Sequence, residues 1–291
     1  MKGIIVKGVG GLYHVKGEGN LIKCKARGKF RHNKFTPMVG DIVEVCIKNN
    51  QGVIEEIYPR KNQLIRPFVS NITQAFVVVT LKHPDINLNL LNSFLILCEA
   101  NKLKTLICIN KIDLVDKNDK ETKHIINMIE SSGYEIVLLN AKEGIGLEKL
   151  NRNLDDEVTV FCGPSGVGKS TILNNIIGKE IMKTGEISDK LKRGKHTTRH
   201  SELIEYGNGF IVDTPGFSSL DISFINRENL KYYFPEFLKY EGECKFSDCL
   251  HFKEPGCKIK DEVSRGTISK ERYEFYIKTL EEISTNRRNR K

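Results

Sequence analysis

The chain predicts three units in series: a small all-β barrel over residues 1–68, an α/β domain on a mostly parallel sheet over 69–225, and a mainly α unit over 226–291. Three observations carry that expectation. Strand-like runs separated by Gly- and Asn-containing turns fill the first 68 residues, strands and helices alternate from Ala75 onward, and three cysteines gather around His251 near the C-terminus.

The first unit holds the runs Ile4–Val6, Leu12–Val15, Leu21–Lys25, Asp41–Val45 and Val53–Ile57, each bounded by turn residues. About five strands in so small a basic unit predict an OB-fold, whose strand face and loops bind oligonucleotides. The stretch Lys25-Ala26-Arg27-Gly28-Lys29-Phe30-Arg31-His32-Asn33-Lys34 sets one aromatic ring among cations. Such a loop suits the grip of a phosphate backbone; a solvated hairpin is the plainer alternative. Charge agrees with the first reading. Residues 1–68 hold 13 Lys/Arg against 5 Asp/Glu and residues 226–291 hold 15 against 12, whereas the middle holds 18 against 20, in a chain of net charge +9. Basic flanks around a neutral centre point to a polyanion gripped by the flanks; a solvated surface that is merely Lys-rich is the plainer alternative. Arg60 to Pro67 reads as a linker.

The second unit alternates. Ala75–Thr80, Thr105–Ile109, Glu135–Leu139, Val158–Cys162 and Phe210–Val212 read as strands, and 87–101, 117–132, 145–152 and 171–177 as helices. This rhythm calls for a parallel sheet covered on both faces. No run of about 18 apolar residues could span a bilayer, and Lys7-Gly8 interrupts the first apolar run too early for a signal peptide. A soluble cytoplasmic monomer is expected.

Gly163-Pro164-Ser165-Gly166-Val167-Gly168-Lys169-Ser170 is a G-x-x-x-x-G-K-[ST] phosphate loop between an apolar strand and the helix opened by Thr171. Its backbone N–H groups and helix N-terminus favour phosphate. Lys169 would reach the β- and γ-phosphates, and Ser170 would ligate Mg²⁺. Asn110-Lys111-Ile112-Asp113 closes a strand, where open α/β sheets place ligands. The Asp113 carboxylate accepts from guanine N1–H and its 2-amino group, which adenine lacks. Asn140-Ala141-Lys142, one strand later, suits a backbone contact to the same base. Asp213-Thr214-Pro215-Gly216 follows a strand as a D-x-x-G switch: Asp213 supports Mg²⁺ through water and the Gly216 N–H meets the γ-phosphate. Between them, Gly194–His200 offers Thr198, in preference to Thr197, to the Mg²⁺ shell. The base reader thus precedes the phosphate loop, the order of a circularly permuted P-loop GTPase. Where Ras-like enzymes carry a water-orienting Gln after the switch glycine, this chain has Phe217. Turnover should therefore be slow until a partner completes the site; His196 and His200 are loop candidates for water activation.

Cys24, Cys46, Cys98, Cys108 and Cys162 stand singly in apolar runs, as buried thiols do. Cys244, Cys249, His251 and Cys257 have the chemistry and spacing of a closed tetrahedral zinc site, structural rather than catalytic.

Together these residues resemble the RsgA family of circularly permuted, small ribosomal subunit-dependent GTPases, over essentially the whole chain. The resemblance implies hydrolysis of GTP to GDP and phosphate, stimulated by the small ribosomal subunit and its rRNA, in late small-subunit maturation. Some family members place a histidine shortly after the switch glycine; this sequence has none between His200 and His251, with Phe224 in that neighbourhood. Two other classes compete. A metabolic kinase or ATPase would share the phosphate loop but not Asp113 or the cysteine cluster. A binding module holding GTP only structurally would show no turnover.

Overall fold

Five strands open the chain: β1 (Lys2–Val9), β2 (Leu12–Gly17), β3 (Asn20–Ala26), β4 (Ile42–Lys48) and β5 (Gln51–Ile57). They close in the order β1-β2-β3-β5-β4-β1, with only β3·β5 parallel. This is an OB-like barrel, as the strand spacing predicts. Alternation along the strands turns Ile5, Val15, Cys24, Val43, Val45 and Ile54 into its interior. The computed structural model describes residues 1–28, 30, 35–48, 51–65, 67–116, 118–178, 201–213, 222 and 224–288; Lys29, Arg31 and Lys34 lie outside them.

The segment read as a linker is instead held firmly. β6 (Gln63–Leu64) pairs with β7 (Val69–Ser70). The Arg60 guanidinium spans both carboxylate oxygens of buried Asp41 at 2.6 and 2.8 Å. Asp41 also accepts from the Ser70 hydroxyl at 2.6 Å, and the Asn62 amide donates to the Ile72 carbonyl at 2.7 Å. Polar residues that look like a spacer locally are satisfying backbone and carboxylate groups far away in sequence.

The second sheet comprises β8 (Gln74–Thr80), β9 (Lys104–Asn110), β10 (Glu135–Leu138), β11 (Val158–Cys162), β12 (Glu202–Tyr206) and β13 (Gly209–Asp213). Its order is β10-β9-β8-β11-β13-β12, parallel apart from the β12 edge. Every residue of β8 is buried. Ala75, Val77 and Val79 pack towards α1 (Leu88–Ala100) and α2 (Lys120–Ser131), while Phe76 and Val78 join the cluster under α3 (Leu147–Arg152) and α4 (Lys169–Ile177). A strand covered on both faces cannot show period-two polarity, which is why β8 reads as a continuous apolar run. The strand leading to the phosphate loop, β11, lies mid-sheet, with the earlier strands β8–β10 on one side and the later β13 and β12 on the other. That is the arrangement a permuted chain order produces.

The two sheets are continuous. β12, which the sequence reading passed over, pairs with β1 at Lys7↔Glu202, so barrel and nucleotide sheet form one eleven-stranded surface. Ion pairs Lys7–Glu202 (2.6 Å) and Lys16–Glu205 (2.9 Å) cross the same seam.

Beyond Ile225 the chain is mainly helical, with α5 (Pro235–Leu238), α6 (Lys258–Ser264) and α7 (Lys270–Arg288). Phe234, Phe237, Tyr276 and Leu280 form its core, which takes in Ile96 from α1. Arg272 fixes this unit to the α/β domain: it grips Glu236 at 2.7 and 3.0 Å and donates to the Asn92 side chain at 2.9 Å, all three buried. Among the described residues no helix is long and apolar enough to cross a membrane.

Candidate nucleotide site and metal cluster

The loop between β11 and α4 takes positive φ at Gly163, Gly166 and Gly168. Side chains are also excluded by space: a Cβ on Gly163 would stand 2.0 Å from the Val78 carbonyl oxygen, and one on Gly168 2.4 Å from Asn110 Nδ2. Glycine is required at both for conformation and for close approach. The loop delivers the chain into the N-terminus of α4, where backbone N–H groups lack helical partners and favour an anion. Lys169 curls back across the loop, its ammonium donating to the carbonyls of Gly163 (2.8 Å) and Pro164 (2.6 Å). Burial lowers its pKa, opposed by neighbouring Cys162. Ser165 and Gly166 are exposed, Pro164, Ser170 and Thr171 half-buried, and the Val167 side chain lies in the core.

Asn110 connects the N-K-x-D motif to the glycine-rich loop and to the Asn140-Ala141-Lys142 segment. It is buried at the end of β9; its Nδ2 donates to the Val167 carbonyl at 2.8 Å and its Oδ1 accepts from the Ala141 N–H at 3.0 Å. One side chain therefore fixes the phosphate loop against the Asn140-Ala141-Lys142 segment. A second tie, absent from the sequence reading, comes from Asn175 of α4, whose amide donates to the Ala141 carbonyl. Asn140 is buried and turns its segment through paired backbone hydrogen bonds with Ile145, leaving Lys142 exposed. Lys111 adopts a left-handed φ of 60° and donates to the His83 carbonyl. Asp113 is exposed. The Ile112 side chain is buried in the core, between exposed Asp113 and half-buried Lys111.

The loop after β8 also borders this place. Pro84 lies 3.8 Å from where a Cβ on Gly166 would stand, and its carbonyl accepts from Thr80 Oγ1 at 2.7 Å. No motif marks it; its position at the carboxyl end of a central parallel strand is the only sequence signal.

Asp213 ends β13, beside the phosphate-loop strand. Burial raises its pKa, Glu202 adds to the rise and Lys7 opposes it. Thr198, Thr197, His196, His200, Thr214, Pro215, Gly216 and Phe217 lie outside the described residues.

Cys244, Cys249, His251 and Cys257 converge with all ligand atoms within 4.8 Å of one another. His251 Nδ1 is 3.5 Å from Cys244 Sγ and 3.4 Å from Cys257 Sγ, and these sulfurs are 4.0 Å apart. Metal–sulfur and metal–nitrogen lengths of about 2.3 and 2.0 Å imply tetrahedral edges of about 3.5–3.8 Å, so the donors fit zinc. The cage is fixed from outside: Tyr273 donates to the His251 carbonyl at 2.8 Å, Lys231 to that of Cys249 at 3.0 Å. Glu254 accepts from the Leu250 and Phe252 N–H groups at 3.1 and 2.8 Å. Burial, helped by Lys231, lowers the His251 pKa to about 4, and burial raises that of Cys249 to about 12. The imidazole is thus neutral and ready to ligate at neutral pH. The single cysteines Cys24, Cys98, Cys108 and Cys162 are buried and free.

A G-x-x-x-x-G-K-S loop after a central strand, an N-K-x-D corner at the end of β9 and a rotated strand order are the features of a circularly permuted GTPase. The RsgA GTPase family model matches residues 57–223 and the RsgA N-terminal domain model residues 2–54, and the chain belongs to the RsgA GTPase family. It is accordingly a GTP hydrolase. A Clostridium botulinum relative (strain 657 / Type Ba4), named small ribosomal subunit biogenesis GTPase RsgA, is 60% identical over 294 residues, covering 100% of both chains. A like-named Clostridium perfringens protein is 56% identical over 99% of this chain and 100% of its own. Among solved structures, YloQ, a circularly permuted GTPase, superposes with TM-score 0.83 at 37% identity, covering 98% of this chain and 95% of that one. YjeQ from Thermotoga maritima gives 0.84 at 39%, covering 97% and 98%.

Proposed function

We propose that this GTPase acts on the small ribosomal subunit, hydrolysing GTP there during late subunit maturation in the cytoplasm, as a monomer. The observation that carries the reading is Asn110, which joins a guanine-reading corner to a phosphate loop in a chain whose flanks are basic. The names of the full-length relatives support the partner. The working units are an RNA-binding barrel (1–68), the GTPase domain (69–225) and a zinc-stapled helical unit (226–291).

In this reading Asp113 pairs with the guanine edge, with Lys111 beside it and the backbone of Asn140, Ala141 and Lys142 closing the base pocket. The backbone from Gly163 to Ser170 surrounds the phosphates, and Thr171 extends that contact into α4. Lys169 leaves the Gly163 and Pro164 carbonyls for the β- and γ-phosphates, a stronger acceptor set for a desolvated ammonium. Ser170, Thr198 and, through water, Asp213 would hold Mg²⁺, which neutralises charge on the transferred phosphoryl group. The Gly216 N–H meets the γ-phosphate. Phe217 cannot hydrogen-bond the attacking water, so rRNA or a loop ordered against it completes the site. Cys244, Cys249, His251 and Cys257 would hold one zinc that keeps a small helical core folded.

The test is GTP turnover measured with each purified ribosomal subunit. Slow intrinsic hydrolysis should rise about 10³–10⁵-fold on the small subunit, the range seen where a partner completes a GTPase site. Equal rates with and without it would overturn the proposal, and Lys169→Ala should abolish the stimulated rate.

A further inference from the structure

Lys7, Glu202 and Asp213 stand side by side on three neighbouring strands. Glu202 is the direct Cα partner of Asp213 across β12·β13, and Lys7 is the direct partner of Glu202 across β1·β12. Residues directly opposed in this way project to the same face of the sheet and interact. The Lys7 ammonium is 2.6 Å from Glu202 Oε2. Two carboxylates opposed across an antiparallel pair are unfavourable by themselves, so the cation at the end of the row determines where the middle carboxylate rests.

The backbone around Lys7 departs from regular pairing. The β1·β2 register shifts between Ile5 and Lys7, an irregularity of the kind that bends a strand and re-aims its side chains. Lys7↔Glu202 is also the single point of backbone register between barrel and nucleotide sheet among the described residues. The barrel thus meets the α/β domain at the residue opposite Asp213, with the Lys16–Glu205 pair further along the same seam.

We propose that Lys7 is a positioning residue for GTP hydrolysis: by holding the Glu202 carboxylate towards the barrel, it leaves Asp213 as the one carboxylate presented to the Mg²⁺ that accompanies GTP. The proposal rests on the assignment of Asp213 to that ion. Without Lys7, Glu202 is free to turn towards Asp213 and add a second negative charge beside the metal. The ion then binds more tightly but in a geometry that no longer favours the transferring phosphoryl group. In this way the barrel contributes to the GTPase site as well as to RNA binding, and displacing it from the seam acts as the loss of Lys7 does.

The experiment titrates Mg²⁺ against the binding of a fluorescent non-hydrolysable GTP analogue and, in parallel, against single-turnover GTP hydrolysis by the full-length chain, in the wild type, Lys7→Ala, Lys7→Arg and Lys7→Ala/Glu202→Gln. Lys7→Ala should lower the half-saturating Mg²⁺ concentration about threefold to tenfold, as an added charge near a divalent ion in a partly screened site does, while plateau turnover falls. Lys7→Arg and the double variant should restore both. A merely structural loss also lowers turnover but raises the half-saturating Mg²⁺ concentration, and that result would sink the proposal, as would an unchanged half-saturation or a double variant that restores neither. Asp213→Asn tests the underlying reading separately. It should raise the Mg²⁺ requirement; if it does not, the metal assignment is wrong, whereas a normal Asp213→Asn response beside a silent Lys7→Ala removes only the role of Lys7.

Discussion

Asn110 and Asp113 belong to one motif but do different work, and their substitution should separate the two. Asn110 makes two buried hydrogen bonds that hold the phosphate loop and the base corner together. Its replacement by Ala forfeits about 0.5–1.5 kcal/mol for each, so GTP and xanthosine triphosphate affinities should both weaken, by about tenfold. Asp113→Asn leaves that tie intact and changes the recognised base. GTP should bind less well and xanthosine triphosphate better, because its 2-oxo group accepts from an amide. Parallel affinity titrations of both nucleotides check the contrast, and a uniform loss in Asp113→Asn would remove it from the base pocket. The type of each residue was legible in the sequence. The partners were not: Val167 and Ala141 offer only backbone atoms, which carry no residue signature. Lys7 and Glu202 lie 195 residues apart, beyond any local pattern.

At the scale of elements, the strands of barrel and sheet were readable because burial imposes period two on one and an unbroken apolar run on the other. β12 escaped because Glu202–Tyr206 alternates over only five residues, and the β6–β7 hairpin escaped because its polar residues face distant backbone. Helix α7 carries the clearest energetic consequence. Arg272 is enclosed with Glu236 and Asn92, so Arg272→Ala strands a buried carboxylate. It should cost about 3–5 kcal/mol in the cooperative unfolding of the C-terminal unit, read by urea melts. The cysteine cluster makes a proton prediction. Burial raises the Cys249 thiol to about 12 and also raises that of Cys257, so both are protonated in the metal-free chain at pH 7. Zinc uptake should release about two or more protons per ion and strengthen as pH rises from about 6 to 9. The imidazole, held neutral down to about pH 4, should contribute none. Zinc binding without proton release in weakly buffered solution would contradict these thiol states.

For the whole molecule, charge and architecture point the same way. The barrel faces solvent with Lys23 and Lys25 on β3, and the Arg27 guanidinium pairs with Glu55 at 2.7 Å. Replacing Lys25, Arg27, Lys29, Arg31 and Lys34 by Ala should weaken small-subunit binding and lower its salt slope by about 0.7–0.9 for each cation that meets a phosphate. Binding measured across a series of salt concentrations gives the slope directly, and an unaltered slope would place those cations away from rRNA. The barrel, the α/β sheet and the cysteine-bearing C-terminal unit were legible from strand spacing, βα alternation and the Cys244–Cys257 cluster. The seam between the first two units was not, since a continuous sheet assembled from distant strands leaves no mark in either stretch of sequence.

That rotated strand order also sets the sequence of events as the chain is made. The five barrel strands, and then the base-reading half of the sheet, leave the synthetic machinery before the phosphate loop exists. β8 gains its second neighbour only when β11 arrives, 85 residues later at the Gln74–Thr159 contact. Until then it presents an open apolar edge, the kind of surface that mispairs or recruits a chaperone. Pairings of such long sequence separation are slow to close. Nucleotide affinity therefore waits for the phosphate loop, and a copy that stops before Gly163 would be unable to hold GTP.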